Sequence, residues 1–328
     1  MQHSTWYRLV VLATIAALGI FLSGLANAQA YPSRSVRIIV PVAAGSGFDV
    51  TARLIGERLS RKTGQAFVVE NMPGAGTARG VISLSHAAPD GYTIGLLLSP
   101  VTVQQALVKN FSIDTRKDLA PILLIGWDFN ILAVNPAVPV TSVRELVAYL
   151  KSNPGKLNFA SGGTGTPAHI AAEFFKQNTE TDMVHVPYKS ALEAVNDLLA
   201  GRVQLMFGNV PATLPHIQSG KLRALAIVGK QRLAQLPDVP SIAEAGYPRI
   251  DVPNWTAMVA PAGTPAQVID YLHREIAAIL AEADVRERIG RFATVIDVKG
   301  PEELGRQIAG DVTRWSEVVR KADIKAIE

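Results

Sequence analysis

The stretch from Val36 to Leu59 constrains this chain more than any other. Val36, Ile38, Ile39 and Val40 make a short, nearly continuous apolar run, the pattern of a parallel strand buried on both faces. The run stops at Pro41. Ala43, Ala44, Gly45, Ser46 and Gly47 then form a loop of side chains too small to obstruct a ligand, and Asp49 stands where the spacing predicts a helix N-cap. Val50, Leu54, Ile55 and Leu59 share one helical stripe, with Arg53, Glu57, Arg58 and Arg61 largely off it. A strand ending this way delivers a helix N-terminus and several free amide N–H groups to one point, which suits an anion.

A second unit of the same design lies farther along. Leu157 to Ala160 reads as a strand, and Ser161-Gly162-Gly163-Thr164-Gly165 as another small-residue loop. Thr166 is the expected N-cap and Pro167 the first helical residue, with Ile170, Ala171, Phe174 and Phe175 as the buried stripe. Around these units the alternation continues. Strands are expected at Ala66–Glu70, Ile94–Leu98, Leu119–Ile125, Ile131–Val134, Met183–Val186, Val203–Phe207, Leu222–Ile227 and Ala257–Ala260. Ser142 with Glu145, and Ser190 with Glu193, make capping boxes for helices over 143–151 and 191–200. Val101–Val108 is a short helix candidate, Thr264-Pro265 opens a helix through Leu280, and 302–322 is helical. Asn71 to Gly80, with Pro73, Gly74, Gly76 and Gly80, reads as a loop. The sum is an α/β protein with mainly parallel sheets, in which ligands bind beyond the carboxyl ends of the strands, where both glycine loops fall.

The first thirty residues are of another kind. Arg8 precedes an uncharged stretch from Leu9 to Leu22, followed by the small-residue frames Ala26-Asn27-Ala28 and Ala28-Gln29-Ala30. This is a secretory signal peptide, 1–30, because the core is shorter than the roughly 20 apolar residues of a spanning helix. Its removal leaves 31 basic against 28 acidic side chains, a net of +3 with no basic run, which argues against nucleic acid. Cysteine is absent, so an exported chain must rely on its core, and thiol chemistry and cysteine-ligated metals are excluded. At 328 residues and 48% apolar, the chain can build two domains.

Stronger meanings of glycine fail here. Neither loop has the lysine of a phosphate-binding P-loop, and Gly74, Gly76 and Gly80 miss the dinucleotide spacing by one residue. A nucleophile elbow needs glycine two residues before the serine, where Ser46 has Ala44 and Ser161 has Phe159. His169 and Glu173 are four apart on one helix but lack a third metal ligand nearby; His169 reads as packed or hydrogen-bonded, and His185 as a core histidine. Asp49 either caps its helix or also fixes the geometry of an anion site, and Tyr188-Lys189 faces a cleft or forms a solvated turn. No nucleophile, base and orienting group emerge together, so catalysis is not supported, and neither metal nor cofactor is expected.

Six segments carry a resemblance: Pro41 to Asp49, Glu70 to Gly76, Ala160 to His169, His185 to Lys189, Leu205 to Asn209 and Leu236 to Pro240. They resemble the Bug receptors, the periplasmic solute-binding proteins of tripartite tricarboxylate transporters. The resemblance implies a type II periplasmic-binding-protein fold: lobe 1 from residues 31–129 plus 250–328, lobe 2 from 130–249, and two crossovers between them. It implies that the lobes close on a small mono- or dicarboxylate, gripped by Val42, Ala43, Ser46, Gly47, Phe48 and Asp49 from one loop and Ser161, Gly162, Thr164, Thr166 and His169 from the other. Tyr188 and Asn209 belong to matching segments and join this site. A monomer delivering its ligand to membrane permease subunits follows from the same likeness. Two other readings stay open: an exported serine hydrolase using Ser46 or Ser161, and a sensor presenting ligand to a membrane signalling protein. The chain departs from the family where Ser46 replaces a second glycine, Phe48 a small residue, Ser190 a glycine and Gly208 an aspartate. Phe48 could stack on an aromatic ligand or pack between the lobes, and the lost carboxylate at Gly208 favours plain carboxylates over amino acids.

Overall fold

Every apolar run expected as a strand is one, with ends moved by up to three residues, and the runs assemble into two sheets. The computed structural model describes residues 31–164, 166–250, 252 and 254–321; the signal peptide assigned to 1–30 lies outside them. The first sheet holds β1 (Val36–Val40), β2 (Phe67–Asn71), β3 (Thr93–Leu98), β4 (Leu119–Asp128), β10 (Asn254–Pro261) and β11 (Val295–Lys299), ordered β11-β4-β10-β3-β1-β2. The second holds β5 (Asn130–Val134), β6 (Asn158–Ser161), β7 (Val184–Pro187), β8 (Leu205–Asn209) and β9 (Arg223–Val228), ordered β7-β6-β8-β5-β9.

Apart from β11, the two sheets repeat one plan, in which a strand arriving from the other half of the chain is inserted between the third and fourth. The inserted strands run against their neighbours: β10 is antiparallel to β3 and β4, and β5 to β8 and β9. The tail strand β11 is also antiparallel to β4, whereas β1–β2, β1–β3, β6–β7 and β6–β8 are parallel. In direction β1 to β4 agree with one another and so do β6 to β9, so each sheet is mainly parallel, as expected, and is mixed only through the inserted strands and β11. An apolar run reports burial on both faces, not the direction in which an inserted strand passes.

This plan fixes where the loops go. β1, β3 and β4 end on one edge of their sheet, and β6, β8 and β9 on one edge of theirs. β4 passes through Phe129 into Asn130, which pairs with Asn209 and Val228, the last residues of β8 and β9. The two carboxyl edges thus adjoin the same crossover, and each glycine loop leaves one of them.

Helices α1 (Gly47–Thr63), α2 (Ala78–Ser85), α3 (Pro100–Leu107), α8 (Ala266–Ala281) and α9 (Ala283–Gly290) accompany the first sheet. Around the second run α4 (Val143–Ser152), α5 (Pro167–Thr179), α6 (Ala191–Leu199) and α7 (Val210–Gln218). The long α10 (Pro301–Lys321) closes the described chain. The first core gathers Ile38, Leu54, Ile55 and Leu59 against Leu272 and Ile276. The second gathers Leu132, Phe159, Phe175 and Phe207, and also receives Leu107 from α3, Val252, and Trp315 and Val318 from α10. The Trp255 indole N–H donates to Asp311 at 2.5 Å, tying α10 to β10. The C-terminal helix is thereby fastened to both halves. Among the described residues, no helix is long and apolar enough to cross a membrane.

Candidate functional site

The first loop is built as a capping box one turn earlier than the sequence suggests. Helix α1 starts at Gly47 with Ser46 as its N-cap, and Ser46 Oγ accepts from the Asp49 amide at 3.3 Å. Asp49 is thus not the cap: it sits in the first turn, and its carboxylate reaches back to the Gly45 N–H at 2.8 Å. The serine wins because its side chain meets the third helical amide while the acid at that position returns the contact. Asp49 is 2% exposed and also accepts from Arg53 at 3.1 Å and Asn71 at 2.9 Å. Burial alone would raise its carboxyl, but hydrogen bonds from Arg53, Gly45 and Asn71 outweigh it and hold the group below the ordinary range. Asp49 therefore fixes the loop from behind. Ala43, Ala44 and Gly45 are exposed in front, Val42, Ser46 and Gly47 are half-buried, and Phe48 packs on the first core.

The second loop is pinned by its serine. Ser161 is fully buried, and its Oγ contacts the Gly163 carbonyl at 3.0 Å, the Gly163 N–H at 3.2 Å and His185 Nε2 at 2.7 Å. Gly163 has φ of 128°, a conformation open to glycine. Thr166 is the N-cap and Pro167 follows it as expected, but the Thr166 hydroxyl donates to the Gly163 carbonyl at 2.7 Å rather than capping the helix. Gly162 is half-buried and Thr164 exposed. Behind them the His169 and His185 rings stack at 4.1 Å, with Phe159 stacked on His185 at 4.8 Å. Burial first, then mutual repulsion and Lys176, pulls His169 down to about 3; burial, then Lys176, pulls His185 down to about 4. Both imidazoles are neutral near pH 7. The Ser161–His185 contact has the length of a nucleophile–base pair, yet the hydroxyl is sealed from solvent and engaged in shaping the loop.

The remaining expected residues have local duties. The Tyr188 hydroxyl donates to Asp197 at 2.7 Å, and burial with that contact raises the phenol to about 12. Asn209 is exposed and caps α7, its Oδ1 accepting from Ala212 N–H at 3.1 Å. Gly208 is buried beneath Thr213, whose methyl fills the space a Cβ would need, so an aspartate does not fit this packing. Glu173 pairs with Lys176 at 3.2 Å, and no group of three metal-ligating side chains is found among the described residues.

Three contributors escaped the sequence. Asn71 was visible inside a matching segment but not as an Asp49 partner, and His185 was assigned to the core because its strand is apolar. Phe292, at the turn between α9 and β11, packs on Gly47: a Cβ there would lie 2.8 Å from the Phe292 Cγ. No local pattern could link residues so far apart in the chain. An open cavity of about 490 Å3 also lies at the crossover, lined by Trp127, Asp128, Phe129, Lys230, Asn254 and Arg314 among others. Neither glycine loop lines it, and its mixture of acids and cations selects no anion. The loops present small side chains and helix N-termini without a competing carboxylate in front, and this is the arrangement that favours an acid.

The model of the tripartite tricarboxylate transporter family receptor matches residues 51–324. Protein BugT of Bordetella pertussis is 36% identical over 318 residues, 95% of this chain and 98% of that protein. Among solved structures, Rpa4515 of R. palustris with adipate shares 31% identity at a TM-score of 0.80, over 90% of this chain and 100% of that one. MatC of Rhodopseudomonas palustris with bound malate shares 29% identity at a TM-score of 0.76, over 88% and 100%. The expected two-lobe periplasmic-binding fold is the fold of these structures.

Proposed function

This chain belongs to the tripartite tricarboxylate transporter receptor family, and we propose that it captures a small mono- or dicarboxylate between its lobes and delivers it to the permease subunits of such a transporter. The family is one of receptors, and its structural neighbour BugD is a periplasmic binding protein. One observation carries the reading: two cation-free glycine loops, each opening a helix, leave the carboxyl edges that adjoin one crossover. Lobe 1 comprises residues 31–129 with 250–328, lobe 2 residues 130–249, and the protein acts as a monomer exported by its leader.

In the proposed complex, amides of Ala43 to Gly47 approach the ligand carboxylate from one side, with those of Gly162, Gly163, Thr164 and Thr166 opposite. Each helix N-terminus supplies about half a positive charge. A hydrogen bond to a charged partner contributes about 1.5–3 kcal/mol, so several from both lobes hold the closed state only when the ligand bridges them. Asp49, Asn71 and His185 act one layer back by fixing the loops. The absence of an acid at position 208 leaves no partner for a ligand ammonium there, in keeping with plain acids. Adipate and malate are the first ligands to try, because they occupy two relatives.

A thermal-shift series with these acids tests the proposal. A ligand at 100 times its Kd should add about 2.7 kcal/mol to stability and raise Tm. No shift with any mono- or dicarboxylate would sink the reading. Turnover of generic esters, or labelling of Ser46 or Ser161 by a serine-reactive probe, would favour a hydrolase instead.

A further inference from the structure

We propose that Phe292 is a specificity-determining residue that walls the ligand beside the first glycine loop and restricts it to a slim chain; this rests on the binding reading above. The ring lies on Gly47, at the first turn of α1, with Cγ, Cβ and Cδ1 between 2.8 and 3.0 Å from the position of an added Cβ. It is only half-buried. In the proposed complex, a substituent leaving a carboxylate at Ser46 and Gly47 toward the second lobe passes this ring.

The wall is rigid because its turn is tied at three points, two of them to the other half of the molecule. The Gly290 carbonyl accepts from Gln235 Nε2 at 3.1 Å. Ala293 is 4% exposed and packs in the cluster of Ile131, Val210, Ile227, Leu233 and Leu236, beneath the second sheet. It does so at φ of 61°, a left-handed conformation that an alanine holds only when its surroundings enforce it. The Thr294 hydroxyl donates to Asp128 Oδ1 at 2.6 Å, at the crossover itself. Phe292 thus hangs between an anchor on lobe 2, an anchor on the crossover and the anion loop of lobe 1. A ligand too thick to pass cannot push the ring aside without breaking the turn, so discrimination is steric.

The experiment measures Kd for succinate, adipate, suberate, benzoate and phenylacetate with the wild-type chain and with F292A, F292L and F292W. If no mono- or dicarboxylate, these five and malate included, binds the wild type, the receptor reading itself fails and this inference falls with it. Given binding, F292A and F292L should improve benzoate or phenylacetate relative to the best linear acid by at least tenfold. F292W should shift the ratio the other way. Should F292A fail to fold, the opposed shifts in F292L and F292W carry the test. Preference ratios within twofold of wild type in the folded variants would overturn the assignment, because a ring outside the ligand's path leaves them unchanged.

Discussion

At the scale of single residues, the site is governed by buried groups that never need to touch the ligand. Asp49 is the clearest: D49A leaves the Gly45 amide without its acceptor and Arg53 without its ion pair. Gly45 and Arg53 are exposed, so water takes over part of each contact and the net loss is about 0.5–1.5 kcal/mol per hydrogen bond; D49A should lower Tm and weaken ligand binding together. A D49A chain that melts as wild type and binds normally would remove the loop-fixing role. The titrating groups make a second prediction. His169 and His185 have folded values of about 3 and 4 against an ordinary 6.5, so on acidification the unfolded chain takes those protons first and stability is lost as pH falls below 6.5. Asp128 works oppositely. Burial at the crossover raises it to about 6 from 3.8, against hydrogen bonds from Thr294 and Thr256, so between pH 6 and 4 the folded state takes that proton first and gains stability. Two groups against one predict a net fall in Tm from pH 6.5 toward 4. In D128N the offset is gone, and the fall should steepen; identical pH curves for D128N and wild type would show that Asp128 titrates ordinarily.

At the scale of elements, packing decides what the sequence pattern leaves undecided. Gly208 in β8 lies under Thr213 of α7, so G208D must displace that methyl or bend the strand. Overpacking of this kind costs about 1–3 kcal/mol, and T213G should recover part of it. Urea midpoints for the two single variants and the pair would show the coupling, and strict additivity would mean the two sites do not meet. Much of this level was legible in advance. Both strand–loop–helix units, the Ser142 and Ser190 boxes and the Pro167 start were readable because they depend on neighbours three or four residues apart. Helices α2, α7 and α9 were not foreseen: they span two turns or little more, and α7 carries Pro211 and Pro215, which read as breakers. Strand β11 was missed because Asp297 and Lys299 interrupt its apolar pattern at a sheet edge. The cap of α1 was misplaced by three residues because Ser46 and Asp49 both suit an N-cap, and only the fold selects between them.

At the scale of the molecule, α10 limits how the lobes can move. Its middle is tied to β10 through Asp311 and Trp255, while Trp315 is 1% exposed within the second core. Closure by separating α10 from lobe 2 would expose that indole, at a cost comparable to the roughly 3–5 kcal/mol lost on deleting a buried tryptophan side chain. Rotation about the crossovers avoids this cost, and it moves the surroundings of Trp127, a half-buried residue beside Phe129 whose indole donates to Asp297 at 3.0 Å. Trp6 falls within the segment proposed as a leader, so the proposed exported chain keeps Trp127, Trp255 and Trp315 as reporters. Ligand-dependent emission should therefore survive in W315F and vanish in W127F, each measured with a binding carboxylate identified by thermal shift. The reverse result would mean that α10 leaves lobe 2 during closure and that the pivot is the helix contact, not the short passage through Phe129.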